Sequence, residues 1–235
     1  MTSTSVYYTL VLISLQLNFK NLEKAMKNYS LLIWDFNGTL LDDVGAALAS
    51  VNDMLERRGI SSINIDTYRE YIDTPIRHFY EHVLDLDKED YNGVLSEFQA
   101  GYELHVKNCG LTPFVREALN TAFDMRIPQV ILSSSEQTQL ERLIKQYDIS
   151  KYFNAVLGSD DLLAGSKVER AEFYIKQHGI DASNALVIGD LLHDFEVAQA
   201  VGAQCLLITS GHHDRKRLET SGVRVEDSLK GFIYE

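Results

Sequence analysis

Cysteine, proline and basic side chains are all scarce in this chain, and each scarcity narrows what it can be. Two cysteines in 235 residues exclude a scaffold stapled by several disulfides. Cys205, inside the apolar run Gln204-Cys205-Leu206-Leu207-Ile208, reads as a buried reduced thiol, which fits a cytoplasmic protein. Three prolines and no Pro/Gly-rich tract leave no flexible linker, so a second module has to be an integral insertion. Lys and Arg total 22 against 34 Asp and Glu, a formal net charge of −12. That balance argues against nucleic acid or an anionic membrane as a main partner, because both are held through clustered cations. The apolar stretch Val6 to Leu17 is too short to span a bilayer and lacks the preceding Lys or Arg of a secretory signal. Residues 1–29 therefore read as a nonessential or misassigned extension, with Met26 as an alternative start of the domain because Lys27-Asn28-Tyr29-Ser30 leads straight into a strand signal. No feature specifies an oligomeric state.

What remains is enough chain for one well-buried core with a smaller inserted module. From Ser30 onward short apolar runs alternate with amphipathic stretches. The runs are Leu31-Leu32-Ile33-Trp34, Val130-Ile131-Leu132, Ala155-Val156-Leu157, Ala185-Leu186-Val187-Ile188 and Leu206-Leu207-Ile208. Helix-period sequence follows in Gln139 to Tyr147, Val168 to His178 and Asp194 to Val201. This alternation predicts an α/β fold, a Rossmann-like parallel sheet with helices on both faces. Between Asp43 and Leu111 the alternation stops and only helical patterns remain: Val44 to Arg58, Thr67 to Ile72, Pro75 to Leu84 and Lys88 to Asn108. Thr74-Pro75 reads as a helix start, with proline in the first turn. The expected organisation is a core of residues 30–42 and 112–235 carrying an all-helical cap, residues 43–111.

An open α/β sheet binds ligands at the carboxyl ends of its strands, and four features fall there in order. Asp35 ends the first run, and a carboxylate at a strand end can attack phosphorus or coordinate a metal. Gly38 lets the backbone come close to an anion in the turn it forms with Thr39. Ser133 can hydrogen-bond a phosphate oxygen, with Ser134 beside it, and Lys167 can neutralise charge on a transferring group. Asp190 and Asp194 supply hard oxygen ligands suited to Mg²⁺.

These residues resemble the motifs of the haloacid dehalogenase superfamily, in the helical-cap group that includes phosphoglycolate phosphatases. The likeness runs from about Ser30 to His212. The family's Asp-x-Asp-Gly-Thr motif falls on Asp35 to Thr39, its Ser/Thr on Ser133, its Lys on Lys167, and its Gly-Asp with a following acid on Gly189-Asp190 and Asp194. The resemblance implies a phosphatase acting on a small phosphorylated metabolite. It makes Asp35 the nucleophile, and it has Mg²⁺ held by Asp35, Asp190 or Asp194 and the backbone carbonyl of Asn37.

Asn37 is also the departure. The family usually has Asp there, which protonates the leaving group and then activates water; an amide does neither. The resemblance thus implies retained metal and phosphate binding with impaired proton transfer, a step typically worth ~10²–10⁴-fold in rate. The alternative is a phosphate-ligand-binding or regulatory protein on the same scaffold. Asp42, Asp43 and His193 are available as substitutes, although Asp42 and Asp43 read more simply as a helix N-cap before Val44. Arg77 is the residue of the insertion expected to meet the substrate's organic part. His78, His82 and His105 read as surface residues, Gly211-His212-His213 as a structural turn, and Lys88 and Lys107 sit in no motif.

Overall fold

Four consecutive apolar residues without a polar alternate fit a strand covered on both faces, and Leu31–Trp34 is buried throughout. The computed structural model describes residues 29–159 and 166–233; the expected N-terminal extension, apart from Tyr29, lies outside the described residues. The strands are β1 (Leu31–Trp34), β2 (Leu41–Asp42), β3 (Gly110–Leu111), β4 (Gln129–Glu136), β5 (Ala155–Ser159), β6 (Ala185–Gly189), β7 (Gln204–Ile208) and β8 (Arg224–Glu226). Six of them form one sheet in the order β5-β4-β1-β6-β7-β8, every pair parallel. The chain winds one way from β1 to β4 and β5 and the other way to β6, β7 and β8. The switch point therefore lies beside β1, where such sheets place their ligands.

The helices are α1 (Val44–Arg57), α2 (Ile65–Tyr71), α3 (Arg77–Val83), α4 (Tyr91–His105), α5 (Val115–Asp124), α6 (Gln137–Gln146), α7 (Lys167–His178), α8 (Leu192–Val201), α9 (Arg215–Glu219) and α10 (Leu229–Ile233). Side chains alternate across a strand, so β1 feeds two cores. Leu31 and Ile33 pack with Ala171 of α7 and Val197 and Ala198 of α8. Leu32 and Trp34 pack with Leu119 of α5, Leu140 of α6 and Phe232 of α10, the Trp34 and Phe232 rings meeting edge to face at 5.5 Å. Each fully buried side chain of this size contributes about 1.5–3 kcal/mol.

β2 and β3 pair antiparallel, Leu41 opposite Leu111 and Asp42 opposite Gly110. Helices α1 to α4 lie between them in sequence, the helical stretch expected from the pattern. Met54 and Leu55 of α1 and Val94 and Tyr102 of α4 are buried in it. Two details differ from the sequence reading. Pro75 precedes its helix behind a cis Thr74-Pro75 bond, and α3 begins at Arg77. The sequence reading omits β2, β3 and β8, strands of two or three residues, too short for a period to register; it also omits α9, α10 and α5, the last despite Val115, Ala118, Leu119 and Ala122 recurring at helical spacing. No helix among the described residues is long and apolar enough to cross a membrane.

Candidate active site

Asp35 follows β1 directly, with its amide bonded to Ile188 O at the end of β6 (2.8 Å). Its carboxylate is nearly buried, as are those of Asp190 and Asp194, and the three lie with one oxygen each within 4.8 Å of one another. Lys167, 4 % exposed, opens α7 and bridges two of them: its Nζ donates to Asp35 Oδ1 and to Asp194 Oδ1, both at 2.6 Å. Burial and the neighbouring acids raise the Asp35 pKa well above the usual carboxylate range despite Lys167. Burial likewise lifts Asp190 to about 6, with His212 opposing. Burial alone would lower the Lys167 pKa, but the charges of Asp194 and Asp35 outweigh it and hold the ammonium protonated. Three buried carboxylates facing one lysine leave an excess of negative charge, and oxygen-only donors of this kind suit a hard divalent cation such as Mg²⁺.

The acids differ in how they are held. Asp194 sits in the first turn of α8 and accepts from the amides of Asp190 and Leu191, both at 3.1 Å, a helix-start arrangement that fixes the carboxylate. Asp190 accepts from Thr39 Oγ1 (2.8 Å) and from the His212 amide (2.7 Å). Asp35 Oδ2 accepts no hydrogen bond from the described residues, so one oxygen of this carboxylate remains available. The next two amides along the chain, those of Phe36 and Asn37, likewise donate to no described residue. Successive backbone N–H groups without a protein partner are the kind of donor that anions take up.

Asn37 is the junction of a second network. Its Nδ2 donates to Asp43 Oδ2 (2.7 Å) and to Tyr102 OH (2.7 Å), and its Oδ1 accepts from Ser135 Oγ (2.5 Å) and, more weakly, from Ser133 Oγ (3.4 Å). An ionised carboxylate only accepts, so Asp43 fixes the amide with nitrogen inward and oxygen toward the serines. Asp43 also accepts from Gly38 N (2.7 Å) and Tyr102 OH (2.6 Å) and lies 3.6 Å from His212 Nε2. Burial would raise the Asp43 pKa, but His212, Tyr102 and Asn37 together bring it below the ordinary value. Burial would lower the His212 pKa, but Asp43, Asp190 and Asp35 lift it to about 9, so the ring is an imidazolium at neutral pH. His212 Nδ1 meets Tyr68 OH of α2 at 2.9 Å.

Several sequence-predicted residues occupy the expected place in a different role. Thr39 is fully buried with its hydroxyl on Asp190, which it orients. Gly38 has φ +73, and a side chain there would collide with Asp190 and His212; its amide donates to the Asp43 carboxylate and to Leu41 O. The β4–β5 register breaks between Leu132 and Glu136, and Ser135 reaches Asn37 while Ser134 is exposed. Asp43 precedes α1 but makes no side-chain cap bond, so the simple N-cap reading gives way to a role in the site. Asp42 is exposed, and His193 is paired with Glu196 at 2.9 Å. Arg77 is exposed, bonded to Glu81 and lying over the Tyr91 ring. The insertion's arginine on the core loop is instead Arg69 of α2, whose guanidinium donates to Gly211 O at 3.0 Å while its buried Nε has no partner among the described residues. His212, Tyr68, Tyr102 and Arg69 were missed because each is unremarkable in its own stretch of sequence. Only Gly211-His212, adjacent to the end of β7, carried a signal.

The geometry agrees with the comparisons to known proteins. The profile of the haloacid dehalogenase-like hydrolase family matches residues 32–208. The chain belongs to this family. It is 26% identical over 212 residues to the phosphoglycolate phosphatase of Pseudomonas fluorescens strain Pf0-1, covering 86% of this chain and 78% of the relative. To that of Neisseria gonorrhoeae it is 26% identical over 220 residues, covering 90% and 93%. The haloacid dehalogenase-like protein SP0104 of Streptococcus pneumoniae shares the fold at TM-score 0.78 and 19% identity, over 88% of this chain and 99% of that one. A mutant CbbY of Rhodobacter sphaeroides, solved with xylulose-1,5-bisphosphate, aligns at TM-score 0.69 and 16% identity over 86% and 95%. This haloacid dehalogenase-like hydrolase thus stands among the phosphatases of its superfamily, as the motifs implied.

Proposed function

We propose that the chain is a Mg²⁺-dependent hydrolase of small phosphate monoesters acting through an aspartyl-phosphate on Asp35. The reading rests chiefly on one observation: the buried carboxylates of Asp35, Asp190 and Asp194 come together around the buried Lys167, which bonds Asp35 through Oδ1 and leaves Oδ2 without a hydrogen bond from the described residues. A phosphoryl group held by the Phe36 and Asn37 amides and Ser133 would present phosphorus to that oxygen. Lys167, charged and buried, would stabilise the added negative charge where water cannot screen it. A divalent cation held by Asp35, Asp190 and the Asn37 carbonyl, with Asp194 behind, would add further neutralisation of the phosphoryl oxygens. The donor set fits that ion, being buried, oxygen-only and short of positive charge.

The helical residues 43–111 act in this reading as a cap that excludes water and selects the leaving group. Tyr68 and Arg69 reach the Gly211-His212 loop, Ile72 O meets His213, and Tyr102 reaches Asn37. In this reading Arg69, which reaches the Gly211 loop with its buried Nε unpartnered among the described residues, rather than Arg77 meets a leaving group that carries a second negative charge, such as the carboxylate of 2-phosphoglycolate. Two free cysteines accord with work in the cytoplasm. The test is phosphate release from an aryl phosphate and a panel of metabolite monoesters, with and without Mg²⁺, beside Asp35→Asn. Mg²⁺-dependent release lost in Asp35→Asn supports the reading; release equal in the two proteins refutes it.

A further inference from the structure

The hydrogen bonds around Asn37 account for every group near it that could move a proton. The amide itself neither gives nor takes one. Both Asp43 oxygens are engaged, Oδ1 by Gly38 N with His212 Nε2 at 3.6 Å, and Oδ2 by Asn37 and Tyr102. The Tyr102 hydroxyl is spent on Asp43, and the hydroxyls of Ser133 and Ser135 point at Asn37 Oδ1. His212 holds Tyr68 at one nitrogen and faces Asp43 with the other. His213 bridges Leu192 N and Ile72 O, and His193 is tied to Glu196. Among the described residues no uncommitted acid or base stands beside the carboxylate of Asp35.

We propose that this site takes phosphoryl donors whose leaving group departs without a proton, acyl phosphates above all, and that the resulting phospho-Asp35 is long-lived. This rests on the reading of Asp35 as nucleophile given above. In the first step an Asp35 oxygen forms a bond to phosphorus. The bond from phosphorus to the donor oxygen breaks, and its electron pair leaves on a carboxylate, which is stable unprotonated. An alkoxide would need a proton, and the His212 ring is held between Tyr68 and Asp43 while Asn37 has none to give. In the second step water must attack the same phosphorus and lose a proton, regenerating the Asp35 carboxylate and releasing phosphate. With no base to take that proton, this step lags by a factor on the order of 10²–10⁴. The chain then carries its phosphoryl group as a persistent mark two residues before Asn37, whose side chain Tyr102 of the helical insertion holds.

The experiment is intact-protein mass spectrometry of the full chain after incubation with acetyl phosphate and MgCl₂, followed in time after donor removal. Phosphate release is measured in parallel, with 2-phosphoglycolate as the alkyl comparison. The expected result is one added phosphoryl group, absent in Asp35→Asn, released by hydroxylamine as an acyl phosphate is, and decaying far more slowly than it forms. Asn37→Asp is expected to abolish the accumulation and raise turnover about 10²-fold or more. Brisk phosphate release with no accumulating adduct on the wild type overturns the inference and leaves the phosphatase reading intact. Neither adduct nor release from any donor, with Mg²⁺ binding confirmed by calorimetry, overturns both.

Discussion

Lys167→Met keeps a stem of similar length and deletes the charge between two buried carboxylates. At an effective dielectric constant of about 20, each 2.6 Å contact from Nζ to Asp35 or Asp194 is worth about 6 kcal/mol of Coulomb attraction. Desolvating the three ions consumes several kcal/mol apiece, so the net contribution is much smaller than that sum. The variant leaves three acids within 4.8 Å, repelling one another by about 3 kcal/mol or more per ionised pair. Proton uptake by Asp35 or Asp190, whose pKa values burial has already raised, caps the penalty. The expected loss of stability in EDTA is therefore the 3–5 kcal/mol typical of breaking a buried pair, or about 1–2 M in urea midpoint. The single tryptophan, Trp34, is the residue before Asp35 and reports the transition by fluorescence. Saturating MgCl₂ is expected to stabilise the variant more than the wild type, because it supplies the missing cation to the same acids. An EDTA midpoint within 1 kcal/mol of wild type refutes the ion-pair argument; equal Mg²⁺ effects on the two proteins refute the assignment of the acids to a cation.

Other perturbations probe separate parts of the site. Gly211→Ala places a methyl group into the Asp190 carboxylate, and isothermal titration calorimetry is expected to show Mg²⁺ affinity falling at least 10-fold while the fold persists by circular dichroism. Arg69→Ala is expected to raise KM for 2-phosphoglycolate about 10-fold or more and to leave KM for an uncharged aryl phosphate within about twofold, as loss of one charged hydrogen bond of about 1.5–3 kcal/mol predicts. His213 is buried and uncharged, with Leu192 N donating to Nδ1 and Nε2 donating to Ile72 O, both at 3.2 Å. Burial and Arg217 lower its pKa from 6.5 to about 4. A histidine depressed in the folded state contributes stability that is complete above pH 6.5 and is lost as pH falls toward 4. That contribution is at most about 3 kcal/mol, and urea midpoints at pH 5 and 7.5 are expected to differ less in His213→Asn than in wild type.

The sequence alone determined the α/β class, the helical insertion and the positions of Asp35, Ser133, Lys167, Asp190 and Asp194. The physical reason is local. Apolar runs such as Leu31 to Trp34 declare covered strands, and chemistry at such sheets sits immediately after the strands, so the site residues are sequence neighbours of the strongest signals. It also shows Asn37 as an amide where the family resemblance implies a carboxyl group. Only the tertiary structure decided what surrounds that amide. Asp43, Tyr102, Ser135 and His212 reach Asn37 or each other across as many as 169 positions of sequence, counting from Asp43 to His212, and hydrogen bonds between distant segments leave no period or motif to read. The same holds for Arg69 against Arg77. Both are arginines at the ends of short helices, and which one lies over the core depends on the direction the chain takes between α2 and α3. The composition of either helix does not encode it.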